Sequence, residues 1–392
     1  MPGYPIFNYI KPEPWECGVK GSYTHLYTLS LTPLLLFTPA SPDMAPVQRN
    51  PMDSMKSTWR LWDRQQWNIG HWLLELLNAH HQDLNIDVPV HAKTDKVPDA
   101  KEWHFHRYVI IHASIPLVLH QLFVSYFGYN MQPWMVVVLY ILSLKLIALH
   151  EVHILRRIGH RYGFFDGDKH GRDGVPDVGV GITVQSLLSV IVLRPIMTVF
   201  FAYRPEEAPS SIPWLWLFVE TGVYAVVLDF WYYLLHRSAH ETDILWKFHR
   251  THHLTKHPNP LLTAYADHVQ EFFDIVGVPM LTYTSMKLMG FPLGFYEWWV
   301  CQQYVVFTEV LGHSGLRIQV TAVNPWTWFL KLFDMDLMLE DHDLHHRRGW
   351  KSSYNYGKQT RVWDRLFNTT LPRVEGTADN IDYVNKAELP LI

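Results

Sequence analysis

The order of apolar and polar positions divides the chain into long hydrophobic segments separated by short polar links. From residue 108 onward, each apolar segment approaches the roughly 20 residues that a helix needs to cross a bilayer. We therefore predict a mainly α-helical integral membrane protein with a helical bundle. The predicted segments are residues 108–127, 133–149, 182–203, 213–235, 275–291 and 293–311, and a hairpin of two segments either crosses the bilayer or only dips into it.

Ionisable residues interrupt several of these segments, namely Lys145, Arg194, Glu220, Asp229 and Glu309. Ionisable groups at membrane depth usually face a protein interior or a wet cavity. We expect some of them to serve a buried site.

The distribution of basic residues predicts the orientation of the bundle. The link 128–132 carries no charge, whereas the next link contains Arg156, Arg157, Arg161, Lys169 and Arg172. Short basic links tend to stay in the cytosol. Counting segments onward from this link places the ends of the fourth and sixth segments on the cytosolic side.

The first 107 residues are rich in proline and show no sustained helical period, so they are predicted to be an irregular cytosolic region with interfacial helices. Within it, residues 27–37 are apolar and short, which favours an interfacial segment. Residues 53–78, with Trp59, Trp62 and Trp67, form either an amphipathic surface helix or part of an ordinary core.

Composition narrows the class of partner. Hydrophobic residues make up 48% of the chain and charged residues 18%, and the formal net charge is -4. The chain therefore has no excess of positive charge that would attract phosphate groups, and nucleic acid is not an expected partner. The two cysteines, Cys17 and Cys301, cannot form a disulfide framework and receive no role.

Histidines carry the clearest chemical signal. Eight of them fall into three short clusters next to apolar segments, and two more stand at the ends of apolar segments. Two metal ions with about five nitrogen ligands each would use all ten, whereas a structural zinc site needs only four. The predicted metal ligands are His236, His240, His249, His252, His253, His268, His313, His342, His345 and His346.

These clusters resemble the signature of the membrane-bound fatty acid hydroxylase and sterol desaturase superfamily, HxxxH, HxxHH and HxxHH. The resemblance covers roughly residues 215–370. It includes Asp229-Phe-Trp-Tyr-Tyr-Leu-Leu-His236-Arg-Ser-Ala-His240, Trp246-Lys-Phe-His249-Arg-Thr-His252-His253, Tyr265-Ala-Asp-His268-Val-Gln-Glu271, His313-Ser-Gly315, Asn355-Tyr-Gly357 and Trp363-Asp-Arg-Leu-Phe-Asn-Thr369.

The resemblance implies a cytosolic, histidine-rich cap that holds two iron ions. Such a centre uses O2 to hydroxylate, desaturate or oxidise a methyl group of a lipophilic substrate, either a sterol, a sphingoid or fatty lipid, or a terpenoid or polyketide natural product. Electrons would come from NAD(P)H through a separate carrier, cytochrome b5 and its reductase, because the chain contains no His-Pro-Gly-Gly haem motif. The implied location is the endoplasmic reticulum membrane.

The resemblance also suggests a division of the chain. Residues 1–107 would be the N-terminal region, 108–212 the first membrane segments with a cytosolic loop, 213–370 the catalytic domain and 371–392 a C-terminal tail. Two positions depart from the family pattern. The segment around His268 lacks the usual proline, and Glu309 stands where some members carry a histidine.

Acids close to the clusters are candidates for holding the ligands in place. Asp229 lies two helical turns before His236. Two roles remain possible for it: a hydrogen bond to a ligand ring, or that of an ordinary buried acid. Glu309 could ligate, act behind the ligands or pair elsewhere. The other candidates of this kind are Asp341, Asp343 and Asp364.

Two functions of other classes remain as alternatives. A histidine-rich metal transporter would place its ligands within several segments near the middle of the membrane, whereas most of these histidines stand just outside segments. A non-catalytic scaffold that binds lipid or zinc would insert normally but consume no O2. A related enzyme, an aldehyde decarbonylase, would be distinguished by its product.

Overall fold

The long apolar segments of the sequence form the longest helices. The computed structural model describes residues 50–167, 169–350 and 353–391, so the predicted interfacial segment 27–37 and Cys17 lie outside the described residues. In chain order, the elements are α1 (Ile69–Leu76), β1 (Val97–Ala100), α2 (Glu102–Phe127), α3 (Pro133–Tyr162), α4 (His170–Asp173), α5 (Val180–Ala202), α6 (Trp214–Glu241), α7 (Asp243–His249), α8 (His268–Phe272), a π-helix (Phe273–Gly277), α9 (Val278–Leu288), α10 (Phe295–Gly312), α11 (Thr327–Lys331), α12 (Leu339–Arg348), α13 (Val362–Leu366) and β2 (Ile381–Ala387).

Four helices within the described ranges are long and apolar enough to cross a membrane, namely α2, α3, α5 and α6. They contain nearly all of the first four predicted segments. Only 28% to 39% of the residues in their most apolar windows are buried inside the protein, so many apolar side chains face outward. Hydrocarbon solvates such a surface, and helices satisfy their own backbone groups there. The prediction of a mainly helical membrane bundle is confirmed.

The fifth and sixth predicted segments are not among these four helices. Every residue of α10 from Phe295 to Thr308 is buried, so its apolar character reflects a position inside the protein rather than contact with lipid. The fifth segment begins within the π-helix, which joins α8 to α9 without a break and carries Asp274. The sequence did not distinguish a helix enclosed by protein from a helix enclosed by lipid.

Residues 53–78 do not form one continuous surface helix. They form 3-10 turns at Trp59–Leu61 and Arg64–Gln66, followed by α1. Asp63 and Asn68 accept hydrogen bonds from backbone amides and so start separate turns, because such side chains favour the beginning of a helix over its interior. Trp59 is buried and donates to the Val175 carbonyl, so ordinary core packing is the outcome here.

The C-terminal region is tied to the segment before the first membrane helix. β2 pairs in parallel with β1, and the two strands are the only sheet among the described residues. Arg317 is fully enclosed beneath this pair and forms an ion pair with Glu375 at 2.8 Å. Its guanidinium also donates to the carbonyls of Ala92 and Lys96. This side chain therefore connects the segment before β1 with the segment before β2.

Replacing Arg317 by Met should destabilise the protein by about 3–5 kcal/mol, because it leaves the buried Glu375 carboxylate without its partner. The matched control is Lys101→Met, which removes a solvent-exposed pair with Glu388 and should cost less than about 1 kcal/mol. Unfolding of the purified protein in detergent checks both values. Equal losses for the two variants would contradict the connecting role of Arg317.

Candidate metal centre

Nine of the ten predicted histidines lie on five elements, drawn from four stretches of chain, and converge in one place. His236 and His240 lie one turn apart near the end of α6, and His249 ends α7. His252 and His253 form the following 3-10 turn, and His313 caps α10. The last three, all on α12, are His342, His345 and His346. All nine are buried.

The nine rings form two groups among the described residues, and within each group one ring nitrogen per residue lies within 4.8 Å of the others. The five-histidine group is His236, His240, His249, His253 and His345, and the four-histidine group is His252, His313, His342 and His346. Each His-His dipeptide contributes one ring to each group, because consecutive side chains on a helical turn point in different directions. The groups are neighbours, with the rings of His253 and His346 stacked at 4.7 Å.

The hydrogen bonds of the five-histidine group determine which ring nitrogen carries the proton. His240 Nδ1 contacts the Trp350 carbonyl and His249 Nδ1 contacts Gln270 Oε1, both at 3.0 Å. These oxygens can only accept, so each Nδ1 donates and each Nε2 presents a lone pair. Yet the two Nε2 atoms lie 3.0 Å apart. Two lone pairs at this distance repel unless a cation binds them both, so the donor set fits a metal ion.

Two rings of the four-histidine group, those of His313 and His346, show the same arrangement. His313 Nδ1 donates to the Glu309 carbonyl at 2.8 Å, and His313 Nε2 lies 3.2 Å from His252 Nε2 and 2.9 Å from His342 Nε2. His346 Nδ1 donates to the Thr255 carbonyl, which leaves a buried Nε2 without a partner in the described structure. The ring nitrogens of all four residues converge, so this group also suits a cation.

Burial keeps the rings in the form that binds metal. Desolvation lowers the pKa of His249 and of His313 to about 4, and that of His345 to about 3. At neutral pH these imidazoles are therefore uncharged. Neutral imidazole is the ligand form, because a protonated ring has no lone pair to donate.

Asp229 and Asp364 position the 355–360 loop against the centre. Asp229 accepts from the amides of residues 358, 359 and 360 at 2.7–3.0 Å, and from the Thr360 hydroxyl. Asp364 accepts from the amides of Tyr356 and of residue 357. The Tyr356 carbonyl in turn accepts from His236 Nδ1 at 2.8 Å. Both acids therefore orient the His236 ring through the backbone of this loop.

Gly357 is required at the centre of the same loop. A Cβ atom at this position would lie 2.3 Å from the Thr360 carbonyl oxygen and 2.9 Å from Asp364 Oδ2. Both neighbours are held by hydrogen bonds, so neither can move aside cheaply. The glycine allows the chain to fold tightly around the two carboxylates.

The other acids near the clusters have different contacts. Asp341 accepts from the Met338 amide at the start of α12 and from the Arg373 guanidinium, so it fixes the helix that carries three histidines. Asp343 pairs with Arg347 on the same helix. The Glu309 carboxylate forms an ion pair with Lys358 at 2.5 Å. The backbone carbonyl of Glu309 accepts the hydrogen bond from His313 Nδ1.

His268 lies outside both groups. Its side chain is 58% exposed, and its Nδ1 is 3.8 Å from Glu271 Oε2. Asp267 accepts from the Val269 amide and so starts α8 at His268, which turns this ring away from the centre. Two residues later, Gln270 reaches His249 instead. A glutamine in that position gave no signal in the sequence.

Lys358 is a further residue that sequence reasoning missed. Its side chain is 7% exposed, pairs with Glu309, and lies 4.4 Å from the centre of the Tyr232 ring. Its position directly after Asn355-Tyr-Gly357 was the available signal, because the loop brings a charge into the core. The buried Lys358 ammonium thus adds positive charge next to the two histidine groups, whose rings are neutral.

The fold and site define a class, a helical membrane protein with two adjoining histidine groups. The chain belongs to the fatty acid hydroxylase family, which confirms the resemblance noted in its sequence. The model of that family, fatty acid hydroxylase, matches residues 221–369. The fatty acid hydroxylase vlmA of Lecanicillium sp is 40% identical over 308 residues, which cover 75% of this chain and 84% of that protein.

More distant relatives are monooxygenases. The alkylglycerol monooxygenase of Xenopus tropicalis is 27% identical over 52% of this chain and 42% of its own length. The methylsterol monooxygenase 1 of Danio rerio is 28% identical over 44% of this chain and 53% of its own length. No solved structure matches the chain. The relatives and the apolar helices support a membrane-associated, lipid-oxidising monooxygenase, and hence an oxidoreductase.

Lys358→Met should destabilise the protein by about 3 kcal/mol, because it leaves the Glu309 carboxylate, whose side chain is only 18% exposed, without its ion-pair partner. Adding Glu309→Leu should recover most of that loss, since the pair is then absent as a whole. A double-mutant cycle on unfolding in detergent measures the coupling. Additive losses in the double variant would show that the two side chains do not act as a pair.

Proposed function

We propose that this protein is a di-iron membrane monooxygenase that hydroxylates, desaturates or oxidises a methyl group of a lipophilic substrate. The observation that carries the proposal is the pair of adjoining groups whose ring nitrogens converge, with the Nε2 lone pairs of His240 and His249 facing each other at 3.0 Å. Nine neutral nitrogen donors are more than a closed zinc site uses, and imidazole binds iron well. The proposed ligands are the nine converging histidines, and His268 is left out because of its exposure.

The chemistry requires a balanced supply of electrons and protons. Hydroxylation of a C–H bond by O2 yields an alcohol and water, and it consumes two electrons and two protons. Bound iron supplies the redox chemistry that protein side chains lack. The electrons would come from NAD(P)H through a separate carrier, with cytochrome b5 and its reductase as the expected proteins.

The residues of this chain have three tasks in that reaction. Hydrogen bonds from Nδ1 hold the rings in place, as for His236 and His345, whose partners are the carbonyls of Tyr356 and Tyr354. Burial excludes bulk water. An apolar cavity beside His236 and His249 receives the substrate. We further propose that the site faces the cytosol at the endoplasmic reticulum, in agreement with the basic residues in the last two turns of α3 and in the segment that follows it.

Alanine in place of a single ligand should remove metal and turnover. We expect His345→Ala and His252→Ala, one from each group, to lose most of their iron and all O2-dependent oxidation, because each lone pair is needed to complete its site. His268→Ala is the control and should keep both. Iron per chain by mass spectrometry and O2 consumption are the measurements. Full iron content and activity in the two ligand variants would refute the proposal.

Gly357→Ala tests the loop that orients His236. The added methyl group should push the loop away from Asp229 and Asp364 and lower iron content without touching a ligand. The control is Gly171→Ala, whose Cβ would meet no atom within 4 Å. A loaded and fully active Gly357→Ala protein would show that the loop does not set the ligand geometry.

The reaction class is tested by comparing lipids and secondary metabolites of the host with and without the gene. A hydroxylase leaves a precursor that lacks one oxygen atom, and a desaturase leaves one with two additional hydrogens. Metal uptake into vesicles without O2 consumption would instead favour a transporter.

A further inference from the structure

A cavity with about 580 Å³ of empty space, part of it open to the outside, borders the five-histidine group. His236 and His249 form part of its wall. Apart from these ligands, the side chains around it are apolar or aromatic with two exceptions, Gln270 and Asp274. The apolar wall consists of Leu235, Ala239, Leu245, Phe248, Val269 and Phe273, together with Tyr232.

The π-helix introduces Asp274 into this wall. Its wider turn follows α8 directly, and π-helical turns inside α-helices are frequent at functional sites. Asp274 also borders a second cavity, with about 760 Å³ of empty space, so this residue lines both spaces. An acid in an apolar wall costs free energy of desolvation. The nearby Lys358 ammonium offsets part of that cost, although Lys358 pairs with Glu309.

A chain of two hydrogen bonds connects this acid to a proposed metal ligand. Gln270 Oε1 accepts from His249 Nδ1 at 3.0 Å, and Gln270 Nε2 donates to Asp274 Oδ2 at 3.3 Å. Gln270 is thereby oriented at both ends. Among the described residues, Oδ2 is the Asp274 oxygen that accepts a hydrogen bond. Oδ1 is left to accept a hydrogen bond from a molecule in the cavity.

We propose that Asp274 anchors the polar end of the substrate, an inference that rests on the proposed function of the neighbouring site. A carboxylate can only accept, so the anchored group is a hydroxyl or an amide N–H. The substrate is then a long apolar molecule with such a donor, and the apolar wall holds its hydrocarbon part. Plain hydrocarbons, and analogues in which the donor is capped, bind less well because they leave Asp274 desolvated and unpaired.

Binding of hexadecanol and of methyl hexadecyl ether to the full-length, iron-loaded protein in nanodiscs tests the anchor. The two probes differ in a single donor. Radiolabelled probes, scintillation proximity and empty-nanodisc blanks give the two dissociation constants. The wild-type protein should bind the alcohol about tenfold or more tightly than the ether, as for a hydrogen bond to a charged group.

Asp274→Leu should reduce this preference to nearly one by weakening the binding of the alcohol and not of the ether. Asp274→Asn, which keeps one acceptor oxygen, should retain part of it. Glu271→Gln is the matched control, because that acid lies on the same segment but borders only the 760 Å³ cavity among the cavities described here. It should leave the preference unchanged.

An undiminished preference in Asp274→Leu would overturn the anchor, as would an equal loss of both probes, which indicates a structural role. Iron content and O2 consumption of the same samples separate this inference from the proposed function. If the wild-type protein prefers the alcohol in an Asp274-dependent way but oxidises nothing, the anchor is supported and the monooxygenase function is refuted. If the protein oxidises substrate but shows no preference for the alcohol, the monooxygenase function is supported and the anchor is refuted.

Discussion

The structure depends on one constraint, the repulsion between imidazole lone pairs that are forced to face each other. Hydrogen bonds from Nδ1 to carbonyl or amide oxygens fix the tautomer of most rings and turn Nε2 inward, as for His240, His249 and His313. Without a cation, such an arrangement stores unfavourable energy in the centre of the protein. Much of the surrounding chain serves to hold the rings in this arrangement, which is understandable only if metal binding repays it.

The scaffold around the rings consists mainly of backbone held by buried acids. Asp229 and Asp364 each accept several hydrogen bonds from the 355–360 loop, and Asp341 fixes the beginning of α12. Carboxylates that accept several N–H groups are satisfied at low cost despite burial. The acids thus transmit rigidity from α6 and α12 to the ligands without contacting the lone pairs. This explains why acids close to the clusters in sequence lie behind the rings rather than among them.

The spacing of the histidines in the sequence identified them as candidate ligands. It could not show how they divide into a five-histidine group and a four-histidine group. Spacing of three and four residues predicts a shared helical face, whereas the division of His252 from His253 depends on how a 3-10 turn meets α12. His268 stands where the family pattern has a histidine, although its segment lacks the usual proline, and the capping of α8 by Asp267 turns it outward. Likewise, the apolar run of α10 could not show whether lipid or protein surrounds it. Local pattern determines the element, and packing determines what it faces.

Helix α6 runs from the apolar, membrane-spanning part of the fold to the histidine groups. Tyr232, Leu235, His236 and Ala239 all border the same cavity and follow the three-and-four spacing of one helical face. An apolar molecule that enters from the bilayer could therefore move along this face and meet His236 without entering water. Polar groups at the opposite wall, Gln270 and Asp274, would then stop it at its one polar group. In the proposed function, the same helix would thus border the path of the hydrocarbon and supply two of the proposed ligands, which would link substrate length and polarity to the position of the metal centre.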